Sequence, residues 1–208
     1  MKQLIDLATW PRREHFAFFS QFDEPFWGLS TTLDCTRAHA EARRLGVSFY
    51  LYYLHATATA ANRVPEFRYR IEEGQVVCYD QVHLSPTIGR PDHTFGFGFI
   101  EFQTALVDFV PLAQQEIVRV QARPGLGLSD ATARPDTLHC SALPWVQFTG
   151  LSHARSFRFA DSCPKISFGK LYAEGEGLRL PVSVHVHHGL ADGYHVGEFL
   201  RILQELLG

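Results

Sequence analysis

The chain has 208 residues, 46% of them hydrophobic and 20% charged, which supplies a real core and argues against a disordered protein. Its 19 basic and 22 acidic residues give a formal net charge of −3 with no basic block or tail, so nucleic acid is excluded as a natural partner. An anionic cofactor needs only a local patch and stays open.

No apolar run approaches the ~20 residues of a membrane span, and the first residues carry no continuous apolar signal region. The four cysteines, Cys35, Cys78, Cys140 and Cys163, form no CxxC pair and ask for no disulfide framework. These features predict a cytoplasmic protein with no membrane partner. Neither an internal repeat nor a Ser/Gly/Pro linker divides the sequence, so one domain over 1–208 is expected.

In chain order, Phe26 to Asp34 reads as a strand. Asp34 or Thr36 then caps an alanine-rich helix from Arg37 to Leu45, which Gly46 stops. A second helix is expected from Ser48 to Asn62, with Phe49, Leu51, Tyr52, Tyr53, Ala56 and Ala60 seeking burial. Phe67 to Tyr79 predicts a hairpin turning at Glu73-Gly74. Thr94 to Phe102 alternates at period two, placing Phe95, Phe97, Phe99 and Glu101 on one side. Its glycines would let a ligand or backbone approach closely. Ala105 to Arg123 is helix-like despite Pro111. Strands follow at Ser141 to Gln147, Lys165 to Leu171 and Leu178 to His187, and a last helix runs from His195 to Leu207. Strands interspersed with helices predict an α/β fold, a two-layer sandwich with a mixed β-sheet.

The richest segment is Leu178-Arg-Leu-Pro-Val-Ser-Val-His-Val-His187-His188-Gly-Leu-Ala-Asp192-Gly193-Tyr-His195. Strand parity puts Leu178, Leu180, Val182, Val184, Val186 and His188 on one face and Ser183, His185 and His187 on the other. His188 thereby ends an apolar face, where packing holds its imidazole and partial burial favours the neutral, basic form. Asp192, at the start of the last helix, is placed to accept backbone bonds or pair with a buried cation. Spacing alone leaves three readings open: ordinary strand-end histidines, acid–base chemistry at His188, or zinc on three of His185, His187, His188 and His195. Strand parity splits that last set, which weakens the metal reading.

Together with Trp10-Pro-Arg-Arg13-Glu-His-Phe16 and Ser141-Ala-Leu-Pro-Trp145-Val-Gln-Phe148, this segment resembles the chloramphenicol acetyltransferase family, in its trimeric branch bearing HHxxxDG. The resemblance spans essentially the whole chain. It implies a mixed sheet covered by helices, a homotrimer with active sites between subunits, and acetyl transfer from acetyl-CoA to a small-molecule alcohol, chloramphenicol or a related compound. No metal is implied. By the same resemblance His188 is the base, Ser141 the donor to the oxyanion, and Asp192 a structural partner of Arg13. Ser167, Lys170 and Trp145 fall on the coenzyme A side. Phe18, Phe19, Phe95 and Phe97 fall on the acceptor side.

Overall fold

The computed structural model describes residues 1–156 and 160–208. In order it contains β1 (Lys2–Leu4), α1 (Arg13–Phe19), β2 (Phe26–Asp34), α2 (Thr36–Arg44), α3 (Phe49–Arg63) and a 3₁₀ turn at Pro65–Phe67. Then come β3 (Tyr69–Glu72), β4 (Gln75–Tyr79), β5 (His83–Gly89), β6 (Phe95–Phe97) and α4 (Leu106–Gln121). The last part holds β7 (Thr137–Ala142), β8 (Lys165–Phe168), β9 (Tyr172–Glu174), β10 (Gly177–His187) and α5 (Gly193–Leu207). The main sheet has the order β2-β10-β8-β7-β5-β6, with β9 paired to β10. β10 runs antiparallel to β2 and β8, whereas β8, β7 and β5 are mutually parallel, so the sheet is mixed. A separate three-stranded sheet, β1-β4-β3, is antiparallel.

The alternation in β10 builds the core. Leu180, Val182, Val184 and Val186 are at most 2% exposed and pack in the main cluster with Phe199 and Leu203 of α5 and Leu54 of α3. Each such side chain contributes about 1.5–3 kcal/mol by leaving water. The α3 helix presents buried Ala56, Ala58, Ala60 and Ala61, small enough for close packing against its neighbours. Phe67 stacks on Phe199 with ring centroids 4.4 Å apart and joins the 3₁₀ turn to α5.

Several boundaries differ from the sequence expectation. The strand expected from Ser141 begins earlier, at Thr137, and ends at Ala142, because Leu143-Pro144 turns the chain and Val146 N–H bonds back to the Leu143 carbonyl. The strand expected over Lys165–Leu171 ends at Phe168, before Gly169, where a Cβ would lie 2.9 Å from the Val146 carbonyl oxygen, and β9 begins past the expected range. Thr94–Phe102 forms only a short strand, Phe95–Phe97, and one isolated bridge between Leu84 and Ile100. Helix α1 and strand β5 were not anticipated. The hairpin turn falls where expected, with Glu73 and Gly74 both at positive φ (50° and 75°), the pair of left-handed residues that a two-residue hairpin needs.

The second face of the main sheet is polar in register. One cross-strand row carries Ser30, Ser183, Ser167 and Ser141; the next carries Gly28, His185, Lys165, His139 and Ser85. Residues directly opposite on neighbouring strands share a face, so two rows of polar side chains lie side by side on the sheet.

Candidate active site

His188 follows the last residue of β10, and its position is fixed from several directions. Its backbone N–H bonds to the Pro25 carbonyl at 2.8 Å, and its own carbonyl accepts from Arg12 Nη2 at 3.1 Å. The Phe19 ring stacks on the imidazole at 3.8 Å between centroids, inclined by 13°. Trp27 stands 5.5 Å away and donates from Nε1 to the Ala191 carbonyl, which ties β2 to the turn. The His188 Nδ1 atom is buried with no hydrogen-bond partner. Nε2 is therefore the nitrogen left to exchange a proton with a ligand.

The neighbouring histidines have other work. His187 Nδ1 accepts from Gly189 N–H at 3.1 Å, and burial holds the His187 imidazole down to about 4 from its ordinary 6.5. It stays neutral and shapes the turn. His195 belongs to a capping box: its Nδ1 accepts from Asp192 N–H at 3.1 Å, while Asp192 Oδ1 accepts from Tyr194 N–H at 3.1 Å. Among the described residues no group of three or more His, Cys, Asp or Glu side chains could hold a metal ion.

The partner of Asp192 is Arg12, not Arg13. Arg12 Nη1 lies 2.5 Å from Asp192 Oδ2, with the arginine side chain 11% exposed. Arg12 precedes α1 by one residue and shares a face with the buried Phe16, four positions on, so it points inward. Arg13 is turned outward, bonding the Ala8 carbonyl at 3.2 Å and lying 3.9 Å from Glu14. Burial opposes ionisation of Asp192, but the Arg12 hydrogen bond, the charges of His195 and Arg12 and the Tyr194 N–H together outweigh it and hold the carboxyl below its usual range.

Ser141, near the end of β7, lies on the hydroxyl row of the sheet. Its Oγ accepts from Thr87 Oγ1 at 3.3 Å, and Ser167 is its register partner on β8. Ser167 is fully buried, and its Oγ has no partner. A cleft of about 470 Å³ is lined by Ser141, Leu143, Trp145, Ser167, Phe95 and Arg90, among others. A second space of about 390 Å³ is lined by Phe97, Leu128, His139, His153, Arg155 and Lys165. Ser141, Thr87, His153 and Ala154 line both, so Ser141 stands at the junction of two arms.

The residues singled out in the sequence fall into two groups. His188, Phe19, Phe18 and Asp192 surround the turn after β10, Phe18 packing edge-on to Phe19 at 5.1 Å. Ser141, Ser167, Trp145, Phe95 and Phe97 surround the two-armed cleft, which His188 of the same chain does not line. Lys170 is exposed and lines neither arm, its backbone N–H bonding to the Val146 carbonyl at 2.8 Å. Trp145 and Phe95, at the cleft, are 79% and 47% exposed, and Phe18, by the turn after β10, is 58% exposed. Sequence reasoning missed Arg12, Trp27, Thr87, His139, His153, Arg155 and Lys165. Only strand register could have signalled the lysine and His139, and nothing local marked the two loop residues.

The family profile described as Chloramphenicol acetyltransferase matches residues 2–204. Chloramphenicol acetyltransferase 2 of Escherichia coli is 31% identical over 202 residues, covering 96% of this chain and 94% of that protein. A solved chloramphenicol acetyltransferase structure superposes with a TM-score of 0.93 at 29% identity and covers 100% of both chains. The cubic core of the pyruvate dehydrogenase multienzyme complex, 20% identical, shares the fold with a TM-score of 0.68 over 88% of this chain and 81% of that one. The chain belongs to the chloramphenicol acetyltransferase family.

Proposed function

We propose that the chain transfers an acetyl group directly from acetyl-CoA to the hydroxyl of a small acceptor, using His188 as general base. The observation that carries this reading is the fixed His188 imidazole, stacked on Phe19 with Nδ1 sealed from any partner. His188 Nε2 takes the hydroxyl proton as the acceptor oxygen attacks the thioester carbonyl. His188 then returns that proton to the departing CoA thiolate. A positioned base of this kind is worth roughly 10²–10⁴-fold in rate. Ser141 Oγ–H is placed at the junction of the arms, where negative charge develops on the carbonyl oxygen. A donor aimed there favours the transition state over the ground state. Arg12 and Asp192 act by holding the turn that carries His188.

Acetyl-CoA is the donor that family membership implies, and the cleft fits a pantetheine arm. It holds the exposed Trp145 face and the orphaned, buried Ser167 hydroxyl, and exposed Lys170 is the cation assigned to an anionic end of the donor. Because one chain's cleft lacks its own His188, we read the working form as a homotrimer in which His188 of one copy faces Ser141 of the next. The exposed aromatic faces of Trp145, Phe95 and Phe18 support such contacts. The same reading places the reaction in the cytoplasm.

Chloramphenicol is the acceptor that the relatives' names give, and it comes first in the test. A different small hydroxyl compound is the second reading, favoured by the cationic side chains lining the arm at Phe97 and Leu128. CoA release from acetyl-CoA, with and without chloramphenicol, is measured for wild type and His188→Ala. Acceptor-dependent release that falls at least 100-fold in the variant is expected. Undiminished release in the variant would overturn the role of His188.

A further inference from the structure

The arm that runs from Ser141 towards Phe97 and Leu128 is floored by the basic row of the sheet. Lys165 Nζ lies 2.6 Å from Asp161 Oδ2 and 3.1 Å from His139 Nδ1, with its side chain 8% exposed. Arg155 hangs over the same space from the loop before β8. Its side chain is 9% exposed, its Cζ sits 3.5 Å from the centroid of the Phe26 ring, and one Nη pairs with Glu24. Arg155 Nε and His153 Nε2 are both buried without a hydrogen-bond partner. His153 meets His185 edge-on at 4.9 Å.

Each cation of this arm has one carboxylate partner, Arg155 with Glu24 and Lys165 with Asp161. Arg155 and Lys165 line it as cations and Asp161 as the one anion among the described lining residues, whereas Glu24 lies outside the lining with a side chain 46% exposed. Burial holds His153 down to about 4 and His139 below its ordinary value, so both imidazoles of this lining are neutral, each with one N–H to donate. A desolvated guanidinium N–H without a partner is costly and is stabilised by a charge-assisted bond to an anion. A neutral apolar acceptor would leave Arg155 Nε and His153 Nε2 buried and unpaired.

We propose that the acceptor acetylated here is a small hydroxy carboxylic acid, its carboxylate seated on Arg155 and His153 and its hydroxyl at the Ser141–Thr87 junction. The proposal rests on the transferase reading above and names its substrate class. In the step, the acceptor O–H bond breaks and its proton passes through His188 to the CoA sulfur. The acceptor oxygen forms the new bond to the acetyl carbon as the C–S bond breaks, so the products are an acetoxy acid and CoA.

The test measures CoA release with lactate, 3-phenyllactate, shikimate and quinate, each beside its methyl ester, and with chloramphenicol. Wild type is compared with Arg155→Gln and Arg155→Lys. The expected result is a kcat/KM for at least one acid roughly 10- to 100-fold above that for its ester. Arg155→Gln should bring that ratio near unity, and Arg155→Lys should restore part of it. The ratio is the informative quantity, because a merely loosened fold lowers both members of a pair together. Esters equal to or better than acids throughout, chloramphenicol turned over while no acid is, or an acid preference unchanged in Arg155→Gln would each overturn the proposal. Failure of every acceptor to release CoA would instead overturn the transferase reading beneath it.

Discussion

The Phe19 ring lies almost parallel to the His188 imidazole, with centroids 3.8 Å apart and planes inclined by 13°. A base works only from one orientation, and misplacement by about 1 Å can cost on the order of 100-fold. Phe19→Ala removes the face against which the imidazole rests. Steady-state kinetics should show kcat lowered roughly tenfold or more, a loss matching the ~0.5–1.5 kcal/mol of a stacked pair plus the lost order. An unchanged kcat would mean that the stack does not position the base.

The Arg12–Asp192 pair, at 2.5 Å, connects the segment before α1 to the cap of α5. Arg12→Ala leaves Asp192 Oδ2 and the His188 carbonyl without their donor. Urea unfolding should show a loss of about 2 kcal/mol. Arg13→Ala, on an exposed side chain, should stay within ~0.5 kcal/mol. Equal losses in the two variants would contradict the assignment.

Stability should fall on mild acidification. Burial holds His153 and His187 at about 4 in the fold, against an ordinary 6.5. Between those values the unfolded chain binds more protons than the native one, so stability is complete above 6.5 and is lost as pH drops towards 4. Protonated His187 also gives up its bond from Gly189 N–H. The urea midpoint should therefore be lower at pH 5 than at pH 7.5, and His187→Gln should reduce that difference.

Gly28 faces the His185 ring, where a Cβ would come within 2.3 Å of Cδ2. Gly28→Ala must push the ring off the basic row, at a cost of about 1–3 kcal/mol in overpacking. Thermal unfolding would show the lowered Tm, and an unchanged Tm would mean that the ring has space to move.

Much of this was legible in the sequence, for reasons particular residues make plain. The parity of Leu180, Val182, Val184 and Val186 specified β10 and its buried face, because one side of that strand must meet α3 and α5. Asp192 announced itself as a cap by lying before an apolar helical pattern. Arg12 was misread as Arg13, since adjacent arginines are told apart only by which one shares the Phe16 face of α1. The Ser141 strand was placed late because Leu143-Pro144 was read as continuing it. The basic row was invisible: His139, Lys165 and His185 lie on three strands far apart in sequence, and pairing register alone unites them. Arg155 and His153 reach the cleft from a loop, where no periodicity predicts direction.

We read the working site as His188 of one copy facing Ser141 of another. His188→Ala and Ser141→Ala chains, each purified, unfolded and refolded alone, should both be nearly inactive in CoA release. Refolded together, they should recover activity, because some mixed assemblies place an intact His188 against an intact Ser141. Recovery on co-refolding, absent when the separately refolded proteins are simply mixed, is the predicted result. No recovery from well-folded mixed assemblies would contradict a site shared between copies.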